Sequence, residues 1–226
     1  MAALTKRKKV FAQIVKPDKV YSIEEAVEAI QQFPAVKFDE TVEIHIDLNI
    51  DPKNSDQAVR GSVVLPHGTG KKIRIAVFCK GENLQKARAV GVELVGADDL
   101  IEKVANGFLD FDKVVATPDM MRDLSKLGKI LGPRGLMPSP KAGTVTNDIE
   151  KVISELRAGR IEFRNDKQGD IHAGVGKRSF SSEQLKENIH HFIDALTHTK
   201  PSSVKGIFFK HVFLSTTMGP GLKLSI

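Results

Sequence analysis

Seven histidines, a single cysteine and two glycine-rich loops carrying cations are the groups in this 226-residue sequence with the most obvious chemical potential. The histidines, His45, His67, His172, His190, His191, His198 and His211, show no His-Glu-x-x-His spacing, so no metal site is expected. Cys79 ends a predicted strand, a place where α/β proteins often put functional groups. No histidine close in sequence could activate it, and it reads as a small core residue. Gly68-Thr69-Gly70-Lys71-Lys72 precedes a strand where a phosphate-binding loop should follow one, and lacks that loop's full spacing. Gly128-Lys129-Ile130-Leu131-Gly132-Pro133-Arg134-Gly135 has glycines and cations but no preceding strand, and reads as an extended backbone-binding or structural loop. Asp98, Asp99, Asp110 and Asp112 fall near helix starts, where carboxylates serve the helix dipole. No catalytic group and no cofactor is expected.

Aromatic usage points to a different chemistry. With no Trp, one Tyr and twelve Phe, most of them on faces expected to be buried, the chain is poorly equipped to stack unpaired bases. Folded RNA, recognised by shape, 2′-hydroxyls and phosphates, suits the inventory better. Two segments then become candidates: Lys37-Phe38-Asp39-Glu40-Thr41 at a strand entrance and Thr216-Thr217-Met218-Gly219-Pro220 at a strand exit. Each offers hydroxyls, backbone N–H groups and an apolar patch, and an ordinary strand end is the competing reading of both.

The elements that must position these segments come in two styles. Thr41 to Ile50 alternates strictly, with Val42, Ile44, Ile46, Leu48 and Ile50 on one face, as a strand with one wet face does. Arg160–Arg164 and Asp170–Val175, around Asn165–Gly169, predict an antiparallel hairpin, and Ile207 to about Thr216 predicts a last strand. Ser22 with Glu25, and Ser181 with Gln184, cap two helices. The second carries the stripe Leu185, Ile189, Phe192, Ile193 and Leu196. Between these flanks, Ile73–Cys79 is almost wholly apolar, a helix is expected from Glu82, and the strand–helix cycle recurs at Val92, Asp98, Lys113 and Thr117-Pro118. Asn147, with Glu150, is the expected cap of a final helix bearing Ile149, Val152, Ile153 and Leu156. The expected architecture is an α+β domain from residues 1–67 and 160–226, interrupted by an α/β domain of residues 68–159. Gly68, Gly70 and Gly159 are the expected hinges at the crossings.

Composition sets the outer limits. At 41% hydrophobic and 27% charged residues the chain is ordinary globular protein. One cysteine excludes an internal disulfide framework and suits a reducing cytosol. The longest apolar runs are too short for a bilayer, so no membrane partner is expected, and the stretch Val10–Val15 after Lys6-Arg7-Lys8-Lys9 is too short, and too soon broken by Gln13 and Lys16, for the apolar region of a secretory leader. Of the net +6, residues 160–226 hold +4, from 10 basic and 6 acidic side chains, which suits a polyanionic partner.

Several long runs resemble one family: Lys37 to Glu43, Leu65 to Gly68, Val114 to Asp119, Leu131 to Val145, Gly159 to Lys167 and Thr216 to Pro220. With them the chain resembles the bacterial-type large-subunit ribosomal protein one family, which forms the mobile lateral stalk near the tRNA exit site. The resemblance implies a discontinuous α+β RNA-binding domain with an inserted α/β, Rossmann-like three-layer domain. It also implies a non-enzymatic, cytoplasmic, ribosome-bound monomer without cofactor. Its implied partners are the stalk region of large-subunit rRNA, exit-site tRNA whose release it assists, and the messenger of its own operon, whose translation it represses. Carried onto this sequence, the implied RNA contacts are Lys37, Phe38, Thr41, Glu43, Arg164, Asp166, Lys167, Thr216, Thr217, Met218 and Gly219. Thr41 and Thr217 would meet 2′-hydroxyls, Met218 and Gly219 would allow close backbone approach, and Lys167 and Arg164 would meet phosphates. Glu43 is unusual on an RNA face and is expected to accept from a base amino group or hydroxyl, or to orient a basic neighbour. Competing expectations are a nucleotide-dependent enzyme using Cys79 or the Gly128–Gly135 loop, and a messenger-binding regulator acting off the ribosome.

Overall fold

The computed structural model describes residues 5–16 and 19–226, with side chains throughout except at Ser55 and Lys141. Two compact units divide the chain, residues 1–70 with 161–226 and residues 71–160. The first unit opens with α1 (Lys6–Ile14), β1 (Val20–Tyr21), α2 (Ile23–Gln31), β2 (Thr41–Leu48) and β3 (Arg60–Val64). The second holds β4 (Ile75–Phe78), α3 (Glu82–Ala89), β5 (Leu94–Gly96), α4 (Asp98–Ala105), β6 (Lys113–Ala116), α5 (Met121–Leu124), α6 (Gly128–Leu131) and α7 (Ile149–Ala158). The chain then returns through β7 (Arg160–Arg164), β8 (Asp170–Lys177), α8 (Ser182–His198), β9 (Phe209–Thr216) and β10 (Leu222–Leu224).

In the first unit five strands run in the order β1-β10-β9-β2-β8, antiparallel except between β1 and β10. The period-two pattern of β2 buries Val42, Ile44, Ile46 and Leu48 completely and leaves Thr41, Glu43, His45 and Asp47 on the open face. α2 and α8 bury their apolar stripes in the same core, and both begin in complete capping boxes at Ser22 and Ser181. Each box satisfies two otherwise orphaned N–H groups and contributes about 1 kcal/mol.

In the second unit the strands run parallel in the order β5-β4-β6. Ala76, Phe78, Val114 and Ala116 enter one core with Leu100 and Leu124, while Ile75, Val77, Cys79 and Val115 enter another with Ile149 and Leu156. A sheet buried on both faces accounts for the unbroken apolar run that ends at Cys79.

The structure corrects several sequence expectations. Arg160–Arg164 and Asp170–Val175 are not paired with each other as a hairpin. β7 joins β3 in a two-stranded sheet, whereas β8 is the edge strand beside β2. The turn is drawn elsewhere, since Asn165 accepts the Val59 N–H through Oδ1 at 2.9 Å and donates its own N–H to Val59 C=O at 3.0 Å. The helix expected to be capped by Asn147 begins one residue later, with the Asp148 carboxylate accepting from Lys151 N–H at 3.3 Å. Gly128–Leu131, expected as extended loop, forms the helical turn α6 because Leu131 is fully buried and anchors it. Leu222 and Leu224, which carried no sequence signal, are core residues of β10.

The unit boundaries also move, to Gly70/Lys71 and Arg160/Ile161. Buried Asn188 accepts His67 N–H at 3.1 Å and donates to Gly68 C=O at 3.0 Å and Val175 C=O at 2.8 Å. A Cβ on Gly70, whose φ is +69°, would lie 2.8 Å from Lys177 Cγ, so residues 68–70 are held within the first unit. Arg160 instead faces the second, with Glu155 at 2.6 Å and Ala142 C=O at 2.8 Å. Gly159 is the left-handed C-cap that ends α7.

Candidate nucleic-acid interface

Glu40 immediately precedes β2 and is completely buried, a placement a carboxylate tolerates only with several donors around it. It has four. Arg178 Nη1 lies at 3.0 Å, Met218 N–H at 3.1 Å, Arg7 Nη2 at 3.2 Å and the Thr216 hydroxyl at 3.4 Å. Arg178 also donates to the carbonyls of Pro34, Gln31 and Phe33. One carboxylate thereby ties the entrance of β2, the exit of β9, the start of α1 and the end of α2 into a single cluster.

Beside it, Thr41 and Thr217 form a clasp. Thr41 N–H donates to Thr217 Oγ1 at 3.0 Å, Thr217 N–H donates to Thr41 C=O at 3.1 Å, and the Thr217 hydroxyl donates to that carbonyl at 3.4 Å. The Thr41 hydroxyl accepts from Lys177 Nζ at 2.9 Å. Thr217 thus spends most of its capacity inside the protein, while Thr41 keeps a hydroxyl proton to donate. Gly219 has an internal reason to be glycine, since a Cβ would strike the Thr216 hydroxyl and come within 3.0 Å of the Phe33 ring. Around the clasp, Phe38 and Met218 are each 53% exposed, the apolar patch expected from the sequence.

At the other end of the sheet, the Asp166 carboxylate caps its own turn, accepting from Gln168 N–H at 2.7 Å and from Gly169 and Asp170 N–H at 2.9 Å. These backbone donors, Asp170 foremost, hold the carboxyl below the usual carboxylate range. Arg164 and Lys167 stand exposed beside Asp166 and line a shallow depression with Pro52, Ala58 and Asn165.

Strand register connects the two ends. Across the open face, Glu43 lies opposite Gly174 and Ser215, His45 opposite His172 and Phe213, and Asp47 opposite Asp170 and His211. Six residues separate Thr41 from Asp47, so the clasp and the Asp166 turn stand roughly 20 Å apart along the strands. The structure therefore brings Lys37, Phe38 and Thr41 to the same strand end as Thr216, Thr217, Met218 and Gly219. Arg164, Asp166 and Lys167 form a separate cluster at the far end, and Glu43 lies between. Cations at both ends of a face presenting hydroxyls, imidazoles and backbone suit a folded polyanion longer than one groove width.

Sequence reading missed Lys177 and Arg178 as members of this site, and took Glu40 only as part of the strand-entrance segment, without its buried role. Lys177-Arg178 closes the β8 pattern, but only the unreadable pairing of β8 with β2 reveals that both side chains return to residues 39–41. The groups considered for catalysis are occupied otherwise. Cys79 is fully buried, and burial pushes its thiol up, away from nucleophilic character. Lys71 pairs with Asp112 at 3.1 Å, and Asp99 caps the start of α4 through Ala97 N–H at 2.9 Å.

Comparison with known proteins matches residues 27–220 to the ribosomal protein L1p/L10e family. The chain is similar to the large ribosomal subunit protein uL1 of Deinococcus radiodurans, 54% identical over 213 residues covering 94% of this chain and 91% of the relative. It is likewise similar to those of Protochlamydia amoebophila, 52% identical over all of this chain and 96% of the relative, and of Kosmotoga olearia, 50% identical over 94% and 92%.

Proposed function

The chain belongs to the ribosomal protein L1p/L10e family, and from that premise we propose that it binds large-subunit ribosomal RNA directly through the open face of its first unit. It is a constituent of the large ribosomal subunit, acts at the ribosome in the cytoplasm and is not an enzyme. The observation that carries the RNA reading is the Thr41–Thr217 clasp over buried Glu40, which holds exposed Phe38 and Met218 on a fixed backbone. A preorganised edge of this kind loses little entropy on binding and matches the shallow groove of an RNA helix by shape. In this reading Lys37, Lys167 and Arg164 meet phosphates, Thr41 donates to a 2′-hydroxyl, and Glu43 accepts from a base amino group or hydroxyl.

The same reading extends to the lateral stalk near the tRNA exit site. Hinge motion at the two crossings, beside Gly68, Gly70 and Gly159, would carry the second unit while deacylated tRNA leaves. It also extends to repression of its own operon's messenger, since a surface that reads RNA shape binds any transcript that reproduces that shape. The test is a double variant, Thr217→Val with Met218→Ala, titrated with a stalk transcript. Affinity should fall by at least about 100-fold, equivalent to about 2.7 kcal/mol. Unchanged affinity in a folded variant removes the clasp from the interface.

A further inference from the structure

We propose that His45, His172 and Asp170 form a binding site for a divalent first-row transition ion of the zinc class, on the open face of the β2–β8 pair. The two histidines are directly opposed across the antiparallel pair, and their Nδ1 atoms face each other at 3.0 Å with ring centroids 4.5 Å apart. Asp170 precedes His172 by two residues and therefore shares its face. One ligand atom from each of the three lies within 4.8 Å of the others.

Two imidazole nitrogens and a carboxylate oxygen are the donor set that favours zinc, cobalt, nickel or copper over magnesium or calcium. Metal–ligand bonds of about 2.0 to 2.2 Å with tetrahedral angles put donor atoms about 3.3 Å apart, so opening the Nδ1 pair by a few tenths of an ångström admits the ion. The ligands stand on adjacent hydrogen-bonded strands, one of them in the interior of the sheet, so little conformational freedom remains to be lost. The surrounding charge is also favourable. Asp47 lies opposite Asp170, and Glu43 is the next outward residue from His45 on β2. Lys210 Nζ, at 3.6 Å from Asp47, offsets part of that charge, and Lys177 on the same face lies toward the Thr41 end. Water would fill the remaining coordination positions, the open form of site typical of three protein ligands. Histidines more than 120 residues apart share no sequence spacing, which is why motif reading excludes such a site.

The site does not depend on the RNA reading, and its test uses the free protein. Cobalt(II) is titrated while its visible absorption is followed, and zinc(II) is then added as competitor. The expected result is one ion per chain with micromolar affinity, displaced by zinc. Affinity should drop at least about tenfold in His45→Gln, in His172→Gln and in Asp170→Asn, the cost typical of losing a coordinating group or its support. His211→Gln, on the same face but outside the triad, should bind like the parent. Circular dichroism confirms that each variant folds. Absence of binding up to millimolar cobalt overturns the proposal. So does affinity equal to the parent's in His45→Gln and His172→Gln, or a loss in His211→Gln as large as theirs.

Discussion

Replacing Glu40 by alanine removes the one acceptor shared by Arg7, Arg178, Thr216 and Met218. The cost follows from what each donor is left with. Arg178 is 17% exposed and keeps three backbone carbonyls, so its loss is at the low end of a charged hydrogen bond, about 1.5 kcal/mol. Arg7 is 25% exposed and partly recovers water, for about 1 kcal/mol. The Met218 N–H and Thr216 hydroxyl together add roughly 1 kcal/mol, for a total near 3 to 4 kcal/mol, within the range for breaking a buried ion pair. Tyr21, the only tyrosine, is buried in the first unit, so in a chain lacking Trp its fluorescence reports that unit's unfolding alone. With a urea slope of about 2 kcal/mol/M, the midpoint should fall by roughly 1.5 to 2 M. Glu40→Gln retains an acceptor for Met218 and should fall by about half as much. A shift below about 0.3 M for the alanine variant would refute the claim that Glu40 organises this edge.

Two further perturbations test the framework. Asn188→Ala strands the Val175 and Gly68 carbonyls and the His67 N–H, and should cost about 2 to 3 kcal/mol in the same Tyr21-monitored unfolding. A shift under 0.5 kcal/mol would mean that residues 67–70 are not held by it. Asp166 has a folded pKa depressed chiefly by the Asp170 N–H, so its contribution is complete above the unfolded value of about 3.9 and disappears as pH falls through the folded one. Asp166→Asn should therefore be less stable than the parent at pH 7, and the difference should shrink as the pH falls below about 3.9. A difference that does not shrink as the pH is lowered through the acid range contradicts the turn-capping role.

Much of this architecture was legible because local signals carried it. The alternation of Thr41–Leu48, the capping boxes at Ser22 and Ser181, and the apolar run into Cys79 each impose one conformation through period, cap or two-sided burial. What the sequence concealed is pairing. Nothing local tells Arg160–Arg164 to join β3 instead of β8, or places Lys177 and Arg178 against residues 39–41, because strand register is decided by distant partners. The candidate site shows the same division. Phe38, Thr41, Thr217 and Met218 were recognisable as residue types at strand ends, whereas buried Glu40 acquires its role only through four partners up to 178 residues away.

The central claim is tested most directly by titrating the purified chain with a transcript of the large-subunit stalk region, beside an unrelated hairpin, over a range of salt concentrations. The side chains of Lys37, Arg164 and Lys167 are exposed and have no ion-pair or hydrogen-bond partner among the described residues, leaving three cations for phosphates. The account predicts tight, selective binding with log affinity falling against log salt at a slope of about −3, since hydroxyl and apolar contacts supply the remainder. Weak binding that ignores sequence and shape, with a slope steeper than about −6, would contradict it.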